Sequence, residues 1–249
     1  MLLDKVIKLS KPLRDVLDLA LFKMVKGSNN WELLEQFKNK PILIVGNGPS
    51  LNKTPLEHFE GHVSLGMNKI NMFFDKTSWR PDIIVCVNGA VIRQNKDFFN
   101  STDIPVVLPP RALYLGIRKR KNILILNFLK DETYSKEIKK SLANGVTVTY
   151  PCLQIAGYLN PTEVAIVGVD HNFKFQGESK EYQKMEKDDE NHFSKDYFKG
   201  KVWGTPDLPG SERQFLMARH YFDGQQIPIH DFTVGGKLQI FEKKTIPES

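Results

Sequence analysis

The side chains best suited to chemistry in this chain fall into two groups. His192 stands in a stretch dense in polar and aromatic residues, Asn191-His192-Phe193-Ser194-Lys195-Asp196-Tyr197-Phe198. Imidazole titrates near neutrality, so His192 is the best general acid/base on offer, with a hydrogen-bonded structural histidine as the equal alternative. Asp170 closes an apolar run and would orient an acceptor or the segment above it. The second group is the turn Gly46-Asn47-Gly48-Pro49-Ser50. Gly46 and Gly48 lack a Cβ, so the backbone can bend tightly and a ligand can come close. Asn47 adds an amide that donates and accepts, and Ser50 adds a hydroxyl near the next element's N-terminus. The spacing is not GxGxxG, and no Gly-Lys-Ser/Thr follows to make a P-loop. Alone, the turn fits a nucleotide site and a structural βα turn equally well.

These groups need a scaffold to bring them together. Ile42-Leu43-Ile44-Val45 is a short unalternating apolar run ended by glycine, which is how a strand buried on both faces reads. Similar runs are His62–Met67, Ile83–Val87, Pro105–Leu108, Asn122–Leu126 and Glu163–Val169. Helical turns and helices fall between them, among them Thr54–Phe59, Ile70–Phe74 and a helix after Gly145–Thr149 with Pro151 in its first turn. Repeated strand–turn–helix units predict an α/β fold, Rossmann-like and doubly wound, around a mostly parallel sheet. In such a sheet all strands end on one edge, where ligands bind. Three runs finish at Asn47, Asn68 and Asn88, and a fourth at Asp170-His171-Asn172. Amides gathered on that edge suit a base, a ribose or sugar hydroxyls, and helix starts suit phosphate.

Residues 171 to about 210 form a long, irregular excursion and read as a lid, because segments of this length are usually functional. Tyr182, Tyr197 and Trp203 would wall a sugar or base there, or would pack the excursion. Residues 1–39 read as an amphipathic helical extension, split into two helices by Pro12, and residues 40–249 as the catalytic domain. The apolar face of the extension suits packing on the main domain, with peripheral membrane contact or a homo-oligomer as alternatives. Ser211 looks like the N-cap of a helix to Phe222 that ends at Gly224. Ile227–Asp231 and Lys237–Phe241 flank Gly235-Gly236 as two closing strands joined by a turn.

Composition narrows the classes. The 249 residues are 41% hydrophobic and 26% charged, which suits an ordinary globule. There is no run of eighteen apolar residues and no secretory leader pattern, so the expected location is the cytoplasm, with peripheral attachment at the inner face of the membrane as the alternative. Cys86 and Cys152 lie in apolar segments and read as reduced core thiols, without ligand spacing for zinc. The net charge of +6 concentrates in part between Arg111 and Lys121, which reads first as a solvated face. No aromatic platform accompanies it, so nucleic acid is not an expected partner.

Ile44-Val45-Gly46-Asn47-Gly48-Pro49-Ser50-Leu51 resembles the opening motif of bacterial sialyltransferases of glycosyltransferase family 42. It is also similar to a wider group containing archaeal 6-hydroxymethylpterin pyrophosphokinase and the motility-associated factor glycosyltransferases. The likeness continues in order through Asn68, Asn88 and Ile166-Val167-Gly168-Val169-Asp170, over residues 40–200, and again at Gly235-Gly236-Lys237-Leu238. It implies a Rossmann-like fold with a lid, a CMP-activated sugar donor and no metal cofactor. By the same resemblance, Gly46, Asn47, Gly48, Pro49 and Ser50 would hold the nucleotide's phosphate and ribose, with Asn68 and Asn88 on the donor. Thr147 or Thr149 would replace a family serine, and His171-Asn172 stands where the family has an aromatic pair. The expected activity is therefore sugar transfer from a CMP- or other nucleotide-activated donor to a glycan acceptor in surface polysaccharide synthesis, with His192 as base. The alternatives are ATP-dependent diphosphate transfer to a small alcohol, with magnesium on Asp170, Asp188, Asp189 or Glu190, and a non-catalytic nucleotide-binding protein.

Overall fold

A computed structural model of the chain describes residues 11–129, 133–174 and 181–247. Helix α1 (Lys11–Val25) contains Pro12 in its first turn, where the missing N–H has no helical partner to lose. Pro12 therefore opens this helix where the sequence suggested a break between two. The expected helix before it lies outside the described residues. A short helix α2 (Glu32–Glu35) follows, with Leu34 fully buried in the main core.

The strands come next in chain order. They are β1 (Ile42–Val45), β2 (Val63–Met67) and β3 (Ile83–Val85), then helices α3 (Gly89–Gln94) and α4 (Lys96–Ser101), and β4 (Val106–Leu108). Helix α5 (Arg111–Tyr114), β5 (Ile123–Ile125), β6 (Phe128–Leu129) and β7 (Leu142–Ala143) lead to α6 (Thr149–Leu159) and β8 (Val164–Val167). The excursion carries β9 (Tyr182–Lys184) and β10 (Val202–Gly204), and α7 (Leu208–Gly224), β11 (Ile229–Asp231) and β12 (Glu242–Lys243) complete the chain.

Eight of these strands form one sheet in the order β12-β11-β8-β1-β2-β3-β4-β5, every pair parallel. The unalternating runs follow directly from this. Ile42 and Ile44 point into a core with α6 and α7, whereas Leu43 and Val45 point into a second core on the other face. Both faces are dry, so neither parity of residue needs to be polar. The 3-10 turns Pro49–Lys53, Leu56–Phe59 and Ile70–Phe73 join α3–α5 on the second face. So do Phe193, Tyr197, Phe198 and Trp203 of the excursion.

Two local expectations are corrected. Helix α7 starts at Leu208 with Asp207 as its cap, the Asp207 carboxylate accepting from Gly210 N at 3.0 Å. Ser211 lies inside the helix and donates to Asp207 O at 2.8 Å. The closing strands are parallel, with His230 opposite Glu242, so Gly235-Gly236 sits in a longer connection and Lys237–Phe241 is not a strand.

Candidate functional site

β1 is the centre of the topology. The chain moves from it through β2, β3, β4 and β5 on one side, then returns to place β8, β11 and β12 on the other. The loops after β1 and β8 therefore part company at the switch point of the sheet, where open α/β proteins bind ligands. Here the two loops are sewn together. Gly46 N donates to Val167 O at 2.8 Å, and Gly48 N to Gly168 O at 2.9 Å. A Cβ on Gly46 would stand 2.3 Å from Gly168 O, and one on Gly48 only 1.8 Å from Asp170 Oδ2. The glycines are thus required by strand-end packing before any ligand is considered.

Ser50 closes the seam. Its backbone N donates to Asp170 Oδ1 at 3.0 Å and its hydroxyl to Asp170 Oδ2 at 2.6 Å. Burial pushes the Asp170 carboxyl above the usual range, although the two Ser50 hydrogen bonds pull the other way. The turn expected to cradle phosphate is thus already loaded with the protein's own carboxylate. Pro49 and Ser50 do not line the cleft above it.

That cleft has a volume of about 390 Å³ and spans the carboxyl ends of the strands on both sides of β1. Gly46, Asn47 and Gly48 form its floor with Asn68 and Asn88. Thr147 and Thr149 enter from the start of α6, on one face of the sheet. Asp170, His171 and Asn172 close one end, and Tyr182, His192 and Trp203 contribute from the excursion.

His192 is the best-organised of these groups. Its Nδ1 lies 2.8 Å from Asp189 Oδ2, a carboxylate that is only 2% exposed. Asp189 is itself fixed by the Asn191 N–H, 2.9 Å from Oδ1. The imidazole stacks on the Tyr197 ring at 4.1 Å and 3°, with Phe198 edge-on at 5.2 Å. Asp189 on Nδ1 leaves Nε2 as the nitrogen available for proton transfer, the arrangement of an oriented general base.

Tyr197 is fully buried and does not line the cleft, so it packs the excursion and walls nothing. Its hydroxyl accepts from Asn47 Nδ2 at 3.0 Å and from the Lys69 backbone N at 3.1 Å. Trp203 lines the cleft but is 7% exposed and packs on Phe198, whereas Tyr182 is 71% exposed.

The amides divide by role. Asn88 caps α3, its Oδ1 accepting from Ala90 N at 2.9 Å, which leaves its NH₂ for other partners. Asn47, Asn68 and Asn144 each have a buried side-chain oxygen without a hydrogen-bond partner among the described residues. All three line the cleft. Buried acceptors are normally satisfied, so three unfilled ones on residues that line one cavity set these amides apart from the rest of the interior. Asn68 and His171 also hold left-handed backbone, at φ 52° and 51°, as residues at binding sites often do. His171 has its own carboxylate, Glu212, at 2.9 Å.

Sequence reading missed Asp189 as a partner, Asn144, Arg111 and Lys69. Arg111 lines the cleft from α5. Lys69 is buried beneath the excursion, its Nζ donating to Tyr197 O at 2.6 Å and lying 4.2 Å from the Phe198 ring centre. Burial, helped by the charge of Lys201, lowers its ammonium to about 7. Lys69 carried no local signal, because its partner Tyr197 is distant in sequence, whereas Asp189 stands only three residues before His192 and its spacing could have marked the pair.

Among the described residues no cluster of three or more His, Cys, Asp or Glu is placed to hold a metal ion. Of the four carboxylates considered for magnesium, only Asp170 lines the cleft. Asp189 serves His192, Asp188 pairs with Lys199, and Glu190 with Lys174. No helix among the described residues is long and apolar enough to cross a membrane.

A family model described as 6-hydroxymethylpterin diphosphokinase MptE-like matches residues 19–175, from the middle of α1 to just past Asp170. No curated protein and no solved structure matches the chain.

Proposed function

The chain belongs to the 6-hydroxymethylpterin diphosphokinase MptE-like family, and on that footing we propose that it is a transferase whose cleft takes a nucleotide-activated donor. The reaction proposed is sugar transfer from a CMP- or other nucleotide-activated sugar to a glycan hydroxyl, in surface polysaccharide synthesis. The observation that carries it is the His192–Asp189 pair at the cleft wall. A sugar hydroxyl is a poor nucleophile until its proton has somewhere to go. His192 Nε2 would take that proton as the bond to the anomeric carbon forms, while Asp189 stabilises the imidazolium through Nδ1. The amide side chains of Asn47, Asn68 and Asn144, all on the cleft lining, would turn toward the donor's amino and hydroxyl groups to accept from them.

Transfer of a diphosphate from ATP to a small alcohol is the second reading, and the family description favours it. That chemistry relies on divalent metal to offset the charge of the transferring phosphates, and Asp170, which lines the cleft, would have to release Ser50 to hold it.

Thermal-shift titration with CMP, CDP, UDP, GDP and ATP, each with EDTA and with magnesium, separates the two. Stabilisation by CMP that survives EDTA supports sugar transfer, and stabilisation by ATP only with magnesium supports diphosphate transfer. With the donor so identified, His192→Gln should lower kcat by about 10²- to 10⁴-fold while donor affinity is kept. Unchanged turnover in a folded His192→Gln protein would remove His192 as the base.

A further inference from the structure

The seam at the switch point poses a problem for any phosphate-bearing ligand. The donors of Ser50 are occupied by Asp170, and its carboxylate would repel a second anion placed on the same turn. Negative charge must therefore be met elsewhere in the cleft. Among the described residues that line the cleft, Arg111 alone carries a Lys or Arg side chain.

Arg111 has the features of a placed recognition group. Its Nε lies 3.2 Å from Asp18 Oδ2, on α1, and the Asp18 side chain is almost buried. The guanidinium carries five N–H donors, more than one carboxylate at Nε can use. Its stem passes the start of α3, where a Cβ on Gly89 would lie 3.9 Å from Arg111 Cδ. This sets it beside Asn88, whose amide NH₂ remains available to donate. Arg111 approaches the carboxyl edge from the sheet face of α5. The N-terminus of α6, with Thr147 and Thr149, approaches from the opposite face. Its aligned N–H groups are the other positive feature of the cleft.

We infer that Arg111, positioned by Asp18 of α1 and flanked by Asn88, is the oxyanion-recognition residue of the cleft. The anion is a substrate phosphate or a carboxylate on the transferred or accepting group, both of which match a guanidinium fork. The assignment makes α1 part of the site through Asp18. It builds on the nucleotide reading above but does not depend on which group is transferred.

The test is isothermal titration of the full chain with CMP against cytidine, ATP against adenosine, and inorganic pyrophosphate. Glucuronate against glucose is added to the best-bound nucleotide complex. In Arg111→Gln the affinity for the oxyanion-bearing member of a pair should fall by about tenfold to hundredfold, with the neutral member unaffected. A loss on the phosphate pairs identifies phosphate, and a loss confined to glucuronate identifies carboxylate. Arg111→Lys, which keeps charge but not the fork, should fall between. Because Arg111→Gln leaves Asp18 buried without its cation, the double variant Asp18→Asn/Arg111→Gln is measured alongside. Equal preference for the anionic ligand in wild type and double variant overturns the assignment, as does a wild-type protein that binds none of these anions. Failure of sugar transfer itself would appear as absent turnover of CMP-sugars with these anion titrations unchanged.

Discussion

At the scale of single residues, the Gly46–Ser50 turn has a structural task, the seam to Asp170, beside its place in the cleft. Gly48 is needed because Asp170 lies against it, and a Cβ would meet the carboxylate at 1.8 Å and Gly168 O at 2.9 Å. Gly48→Ala should therefore push Asp170 off Ser50 and separate the two loops. The expected cost is about 1–3 kcal/mol, read as a lower midpoint in urea unfolding at constant slope. A neutral result would mean that the carboxylate swings aside freely. The turn, the strand-end asparagines and His192 were all legible, because glycine and polar residues after an apolar run mark the carboxyl edge of a sheet. What those residues touch was not legible. Asn88 turned out to cap a helix, and Tyr197 to fill a core, because a residue's type does not report which distant chain segment arrives beside it.

At the scale of elements, the excursion after β8 is tied to the sheet as well as to the cleft. Its polar, aromatic composition suggested a lid over the cleft. Between residues 189 and 204 it packs on the second face of the sheet through Phe193, Tyr197, Phe198 and Trp203, while Asn191, His192 and Trp203 also line the cleft. Phe193 N donates to Asn47 O at 2.9 Å, and Lys76 Nζ to Phe193 O at 2.9 Å. Lys69 pins the same stretch, and burial holds its ammonium at about 7, well below the 10.5 of a solvated lysine. The unfolded chain therefore binds this proton up to higher pH than the folded chain does. Between about 7 and 10.5 the unfolded state holds more protons, so this group makes stability rise with pH across that window. In Lys69→Met that rise should be missing when urea midpoints are compared from pH 6.5 to 9.5. An identical pH slope in both proteins would show that Lys69 titrates normally. Such a buried lysine reads in sequence as any other cation after a strand, which is why it went unnoticed.

At the scale of the whole molecule, the parallel sheet and its helices follow from the unalternating runs, since only a sheet covered on both faces tolerates them. The parallel closing pair was missed because a double glycine between apolar runs is also what a hairpin looks like. The N-terminal segment, set apart by its helical pattern, shares the main core through Leu34, which is fully buried beside the cluster of Ile42 and Ile44. Leu34→Ala should cost about 2–5 kcal/mol and shift one cooperative transition. Two separate transitions would mark residues before 40 as an independent unit. The place of β1 in the sheet also sets a schedule for synthesis. Its one neighbour, β2, follows within about twenty residues, but β8 is encoded roughly 120 residues later. At typical elongation rates a ribosome needs about 6–24 s to deliver it. Throughout that interval an all-aliphatic strand has one open edge, a template for pairing with a neighbouring nascent chain. The central position that builds the ligand cleft in the finished fold is, during translation, an edge that waits for its second partner.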